Sequence, residues 1–158
     1  MDLKTLMTRI NDGLPSGIAV AAMRELQPCD FSLAELVKGF VYDIILPEEI
    51  GEEDLDRFET DIRRFLNSSS FPVHREANGK TIIKELRPLV ADLALDRPSR
   101  RIILSAHFGP EGTVRPVELL TALFGLSPAA TRGFRIVKTA TRPADFASKA
   151  DREIFSGT

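Results

Sequence analysis

Apolar side chains recur along this chain with two different periods, and the points where the period changes divide it into elements. Leu3, Leu6, Met7 and Ile10 fall at the i, i+3, i+4, i+7 spacing of a helix that Asn11-Asp12-Gly13 ends, and Leu14-Pro15-Ser16-Gly17 turns the chain out of it. Ile18, Val20 and Ala22 alternate as a strand that Gln27-Pro28 stops. Asp30 or Ser32 then offers a cap for a short helix through Ala34, Leu36 and Val37. Phe40 to Leu46 is mostly apolar, which predicts a strand buried on both faces and closed by Pro47. Between Glu52 and Leu66 one stripe gathers Leu55, Phe58, Ile62, Phe65 and Leu66, with carboxylates in the first turn and Arg63 and Arg64 in the last, as the helix dipole prefers.

The second half opens on a hairpin. Residues 71–75 and 81–84 flank Asn78-Gly79, whose readiness to adopt positive φ suits a type I′ turn. Leu86-Arg87-Pro88-Leu89-Val90 reads as a helical turn, followed by strands over 91–96 and 101–108 joined at Arg97-Pro98-Ser99. After the Gly109-Pro110-Glu111-Gly112 loop, Pro116 opens a helix whose apolar face is Val117, Leu119, Leu120, Leu123 and Phe124, and Gly125 ends it. Phe134, Ile136 and Val137 begin the last strand. The mixed order of elements predicts an α+β fold: a largely antiparallel sheet with helices packed on one face. A weak internal echo sharpens this reading. The strand at 40–46 with its proline, helix and the strand at Phe71 matches in kind the strand at 102–108, its Gly-Pro, the helix at Pro116 and the strand at Phe134, as in a ferredoxin-like sheet made of two split βαβ halves. Residues 1–142 then form a single α+β domain, and 143–158 a polar C-terminal tail.

Composition narrows the setting. Of 158 residues 43% are hydrophobic and 28% charged, which suits an ordinary globular domain. Cys29 is the only cysteine, so this chain by itself makes no internal disulfide, zinc quartet or iron–sulfur cluster, and a reducing cytoplasm fits best. No stretch approaches the length of a membrane span, and no cofactor or membrane contact is expected. The net charge of −2 excludes a histone-like nucleic-acid binder. It also hides an asymmetry: through Leu66 there are 7 basic and 14 acidic residues, and beyond it 14 basic and 9 acidic. The plain reading of the acidic run from Glu48 to Asp61 is a solvated helix face. The sharper reading is a second half that meets an anionic partner.

Candidate chemistry is sparse. His74 and His107 lack the companions of a metal site or a catalytic triad, and no base neighbours Cys29. No catalytic residue and no metal site is assigned. Arg87-Pro88 and Arg115-Pro116 each place a guanidinium beside a helix start, where the amides add partial positive charge, although each arginine can equally cap a carbonyl or pair with Glu85, Glu111 or Glu118. With Arg101, Arg132, Arg135 and Lys138 they form the expected anion- or RNA-binding set.

The segments 11–18, Ser32-Leu33 and 42–47, Gly79-Lys80-Thr81 leading to Leu86-Arg87-Pro88-Leu89, and the run from Arg115 to Leu126 resemble the C-terminal two-thirds of the uncharacterised bacterial radical-SAM-linked domain family, over residues 8–142. In that family an upstream segment carries a Gly-Phe-Asn-Pro-His-Pro-Lys type motif that this chain lacks. The resemblance implies a C-terminal piece of a longer unit, acting beside or fused behind a radical SAM protein, with no established reaction. The first helix and the Leu14-Pro15-x-Gly17-Ile18 turn are also similar to a segment of the TruA-type tRNA pseudouridine synthases, without their catalytic Gly-Arg-Thr-Asp motif. That likeness implies a surface facing RNA. Taken together, the sequence predicts a non-catalytic accessory or substrate-binding domain for a radical SAM protein, engaging RNA or a ribonucleoprotein through its arginines. The alternatives are a module that docks on the radical SAM protein through its acidic helix and an open sheet edge, and an enzyme in which Arg87, Arg115 and His107 bind an anionic small molecule.

Overall fold

A computed structural model describes residues 2–25, 32–77 and 79–144. Cys29, the candidate cap Asp30, the turn residue Asn78 and the tail from Asp145 onward lie outside them. The chain divides into two units, Met1–Ser32 and Leu33–Thr158.

In the first unit, helix α1 (Leu3–Asp12) starts at Asp2, whose carboxylate accepts from the Lys4 N–H at 2.7 Å, and ends at Gly13. None of its residues is buried. The strand expected at Ile18, Val20 and Ala22 does not form: residues 18–25 are irregular and no ladder pairs them. A local partner replaces the ladder, because the Asn11 amide accepts from the Val20 N–H at 2.7 Å and donates to its carbonyl at 3.1 Å.

The second unit begins with a short helix α2 (Leu33–Leu36) and continues as strand β1 (Val37–Ile45), helix α3 (Glu52–Asn67), a hairpin of β2 (Pro72–Ala77) and β3 (Lys80–Glu85), strands β4 (Val90–Asp96) and β5 (Arg101–His107), helix α4 (Pro116–Phe124) and strand β6 (Arg135–Pro143). The main sheet runs β4-β5-β1-β6 and every neighbouring pair is antiparallel. Helix α3 crosses from β1 to β4 and α4 from β5 to β6, so two split βαβ halves interlock in ferredoxin-like fashion. The echo in the sequence was thus correct in its second half. In its first half the closing strand is β4 and not the strand after Phe71, because the β2–β3 hairpin is inserted into that crossover as a separate two-stranded sheet.

Ile44, Leu93, Ile102, Leu104 and Ala106 of the sheet pack with Leu55, Phe58, Ile62 and Phe65 of α3 and Leu119, Leu120 and Phe124 of α4. The Phe58 and Phe124 rings, 4.3 Å apart between centroids, seal the two helices together. Strand β1 is fully buried at Ile44 on the helix side and half-buried on the other, not fully buried on both faces. Tyr42 and Ile44 face the helices, whereas Val41, Asp43 and Ile45 stand on the opposite face and are half-buried. Strand β6 runs on through Arg142 and Pro143, and Ala144 is fully buried with its N–H donating to the Leu36 carbonyl at 2.7 Å. Among the described residues no helix is long and apolar enough to cross a membrane.

A groove beside the inserted hairpin

Two connections place the candidate site. In the first, β5 hands over to α4 through a tight loop: Phe108 donates to the Lys38 carbonyl at 2.9 Å, and Gly109 and Gly112 exchange both backbone hydrogen bonds, at 3.1 and 2.8 Å, around the Pro110-Glu111 tip. Gly112 has φ +85°, which a side chain would strain. Val114 is fully buried, and the next residue, Arg115, is exposed as the cap of α4 with Pro116 in its first turn. The second connection is the hairpin. Lys84 of β3 donates its ammonium to the Thr113 carbonyl at 2.9 Å and to the Glu118 carboxylate at 2.7 Å, and Glu118 also accepts from the Arg115 N–H at 3.4 Å. The Lys84 and Glu118 side chains are only 15% and 17% exposed, so this pair ties hairpin, loop and helix together where water screens it weakly.

Between β3 and the 107–113 loop runs an open groove of about 850 Å³, with Ile82, Ile83, Pro88, His107, Phe108 and Arg115 along it. A second groove of about 680 Å³ lies on the other side of Arg115, between His74 of β2 and the first turns of α4. Arg115 is the residue common to both. Its guanidinium has no partner among the described residues, while Lys84 and Glu118 hold each other and Glu85 is taken up by the Ser70 hydroxyl at 2.6 Å and by the Phe71 N–H. The Ser70 hydroxyl above all, then the Phe71 and Arg87 N–H groups, holds the Glu85 carboxyl below the usual carboxylate range.

The expected arginine set is not gathered on one surface. Arg87 is structural: its guanidinium donates to the Val90 carbonyl at 2.9 Å and to the Leu66 carbonyl at the end of α3 at 3.2 Å, and lies 5.6 Å from the centre of the Phe65 ring. Arg101 and Arg135 both pair with Ile45 in register and so share the sheet face away from the helices. Arg101 is bonded there to Asp43 at 2.7 Å and Asp96 at 3.1 Å. Lys138 stands on the other face, paired with Tyr42 in register, its ammonium 4.9 Å from the centre of the Phe40 ring. Arg132 is exposed in the short turn before β6. Two further arginines of the basic half are also committed, Arg100 to the Pro47 and Ile50 carbonyls and Arg97 to Glu52, Asp56 and Glu59 of α3. Part of the charge asymmetry is therefore taken up where Arg97 and Arg101 of the basic half meet carboxylates of the acidic half.

Sequence reasoning singled out Arg115 and His107 but missed the hairpin edge beside them. The signal was the Ile82-Ile83 doublet, which breaks the alternation expected of a half-buried strand and leaves both side chains at least half exposed, at 50% and 66%. Among the described residues no group of His, Cys, Asp and Glu gathers where it could hold a metal ion.

Fold and groove together define a small ferredoxin-like α+β domain whose concave surface is made by an inserted hairpin. The chain belongs to an uncharacterised protein family conserved in bacteria, DUF2344, whose model matches residues 1–116, from the first helix to the start of α4. No curated protein and no solved structure matches the chain.

Proposed function

We propose that this chain is a non-catalytic accessory domain that holds a partner protein, or that protein's substrate, in the groove at Arg115. The radical SAM protein implied by the family resemblance is the partner, in the cytoplasm. The observation that carries this reading is the contrast in the groove itself. Lys84, Glu85 and Glu118 are consumed by internal bonds, whereas Arg115 stands exposed and unpaired where the two grooves meet, with Glu111 at the loop tip as the other exposed charge of the first groove. A positively charged point beside exposed isoleucines suits recognition of one anionic group within an otherwise apolar contact. An RNA-binding face, which the TruA likeness favours, has less geometric support, because Arg135 and Lys138 lie on opposite faces of the sheet and Arg87 is spent on carbonyls.

Co-expression with the radical SAM protein encoded beside a family member tests this. The tagged chain should retain that protein on affinity resin, and Arg115→Ala should reduce retention about tenfold while Arg132→Ala leaves it unchanged. Absence of retention, or equal loss in both variants, counts against the reading; salt-dependent retention of cellular RNA in its place would favour the RNA alternative.

A further inference from the structure

Among the described residues strand β3 has only one neighbour, β2. The register of the hairpin, Ala77 opposite Lys80 across a two-residue turn, and the bond from the Leu86 N–H to the Phe71 carbonyl at 3.0 Å fix which rungs are hydrogen-bonded. Ile82 and Lys84 bond to β2. The N–H and C=O groups of Thr81, Ile83 and Glu85 therefore point outward, and no backbone partner meets them among the described residues. Four consecutive residues, Ile82 to Glu85, line the groove, as they do when a strand presents its edge to the space. The edge of β2 is different. Pro72 occupies one of its outward positions and has no N–H to offer, a common way of blunting a strand edge, whereas β3 carries no proline.

We infer that the groove is a strand-addition site: an extended segment of a partner protein pairs antiparallel or parallel with the free edge of β3 and places a carboxylate against Arg115. This rests on the groove being the binding surface and specifies what enters it. Outward N–H and C=O groups that alternate along an edge are matched donor for acceptor by another peptide backbone, whereas phosphates would leave the carbonyls unpaired, and the unpaired Arg115 guanidinium favours a carboxylate at its end of the groove. The exposed Ile83 and the half-buried Phe108 would meet the apolar residues of the added strand.

The test uses the full chain and two peptides about eight residues long, of alternating threonine and valine, one with a single glutamate and the other with a single lysine. With the glutamate peptide bound, amide exchange at Thr81, Ile83 and Glu85 should slow at least about tenfold while Ile82 and Lys84, already bonded, change little. The lysine peptide should bind about tenfold more weakly, a preference that Arg115→Ala abolishes. Ile83→Pro removes one outward N–H without touching a rung to β2 and should prevent binding; if that variant loses its hairpin, the exchange pattern of the unmodified chain still decides. Uniform exchange along β3, equal affinity for the two peptides, or displacement of the peptide by an oligouridylate would each overturn strand addition. Retention of the radical SAM protein through Arg115 without alternating protection would remove strand addition and leave the accessory role standing. Alternating protection without such retention would do the reverse.

Discussion

Glu85 shows how a single half-buried carboxylate can be committed to the fold. It sits between the Ser70 hydroxyl, the Phe71 N–H and, at 3.4 Å, the Arg87 N–H, and these donors favour its ionised form. A carboxyl whose pKa is depressed by folding stabilises the native state above its unfolded pKa, and that contribution disappears as pH falls through the folded value. The stability difference between the natural chain and Glu85→Gln should therefore be constant above the ordinary glutamate pKa of about 4.3 and shrink as the pH falls below it. Urea midpoints measured across that range check it, and a difference independent of pH would rule the assignment out. Arg87 teaches the opposite lesson about reading single residues. Its Arg-Pro context suggested an anion site, but what an arginine does depends on which carbonyls the fold brings near, here Leu66 and Val90, and the first of these is 21 residues away in sequence.

At the scale of elements the hydrophobic pattern was most informative where the period was sustained. Helices α1, α3 and α4 and strands β4 and β5 stand within a few residues of their expected positions, because each carries a face that must be buried or a cap that must be filled. Residues 18–22 alternate just as well and form no strand, since alternation does not supply a neighbouring edge. The closeness of β1 and β5 was also invisible in the sequence. A Cβ added at Gly39 would overlap the Ala106 carbonyl oxygen, so this glycine is what allows the two central strands to approach at that rung. Gly39→Ala should accordingly destabilise the chain by about 1–3 kcal/mol, read as a lower urea midpoint with an unchanged slope. Stability within about 0.5 kcal/mol of the natural chain would mean that the strands part there without cost.

Over the whole molecule, charge and topology are linked. Arg97, in the turn between β4 and β5, holds Glu52, Asp56 and Glu59 of α3 at 2.8, 2.7 and 3.1 Å, and these and the Arg101–Asp43 bridge join the basic half to the acidic one. All three carboxylates are substantially exposed, so salt should weaken the arrangement. Arg97→Ala is expected to lower the thermal midpoint slightly in low salt and to match the natural chain in about 1 M salt, where the Debye length is about 3 Å. A deficit unaffected by salt would show that the side chain acts through packing instead. The site was less legible than the fold for the same long-range reason: Lys84 and Glu118 meet across 34 residues, and their meeting leaves Arg115 as the exposed cation between the two grooves.

The position of β1 in the sheet has a consequence for synthesis. It is the first strand of the sheet to be made, yet of its two neighbours β5 begins only at Arg101 and β6 at Arg135. At about 5–20 residues per second the ribosome takes several seconds to deliver even the nearer one. During that time an apolar strand waits with both edges bare. The segment that follows it directly is the acidic run from Glu48 to Asp61, whose like charges keep unfinished chains apart while the partners of β1 are still being made.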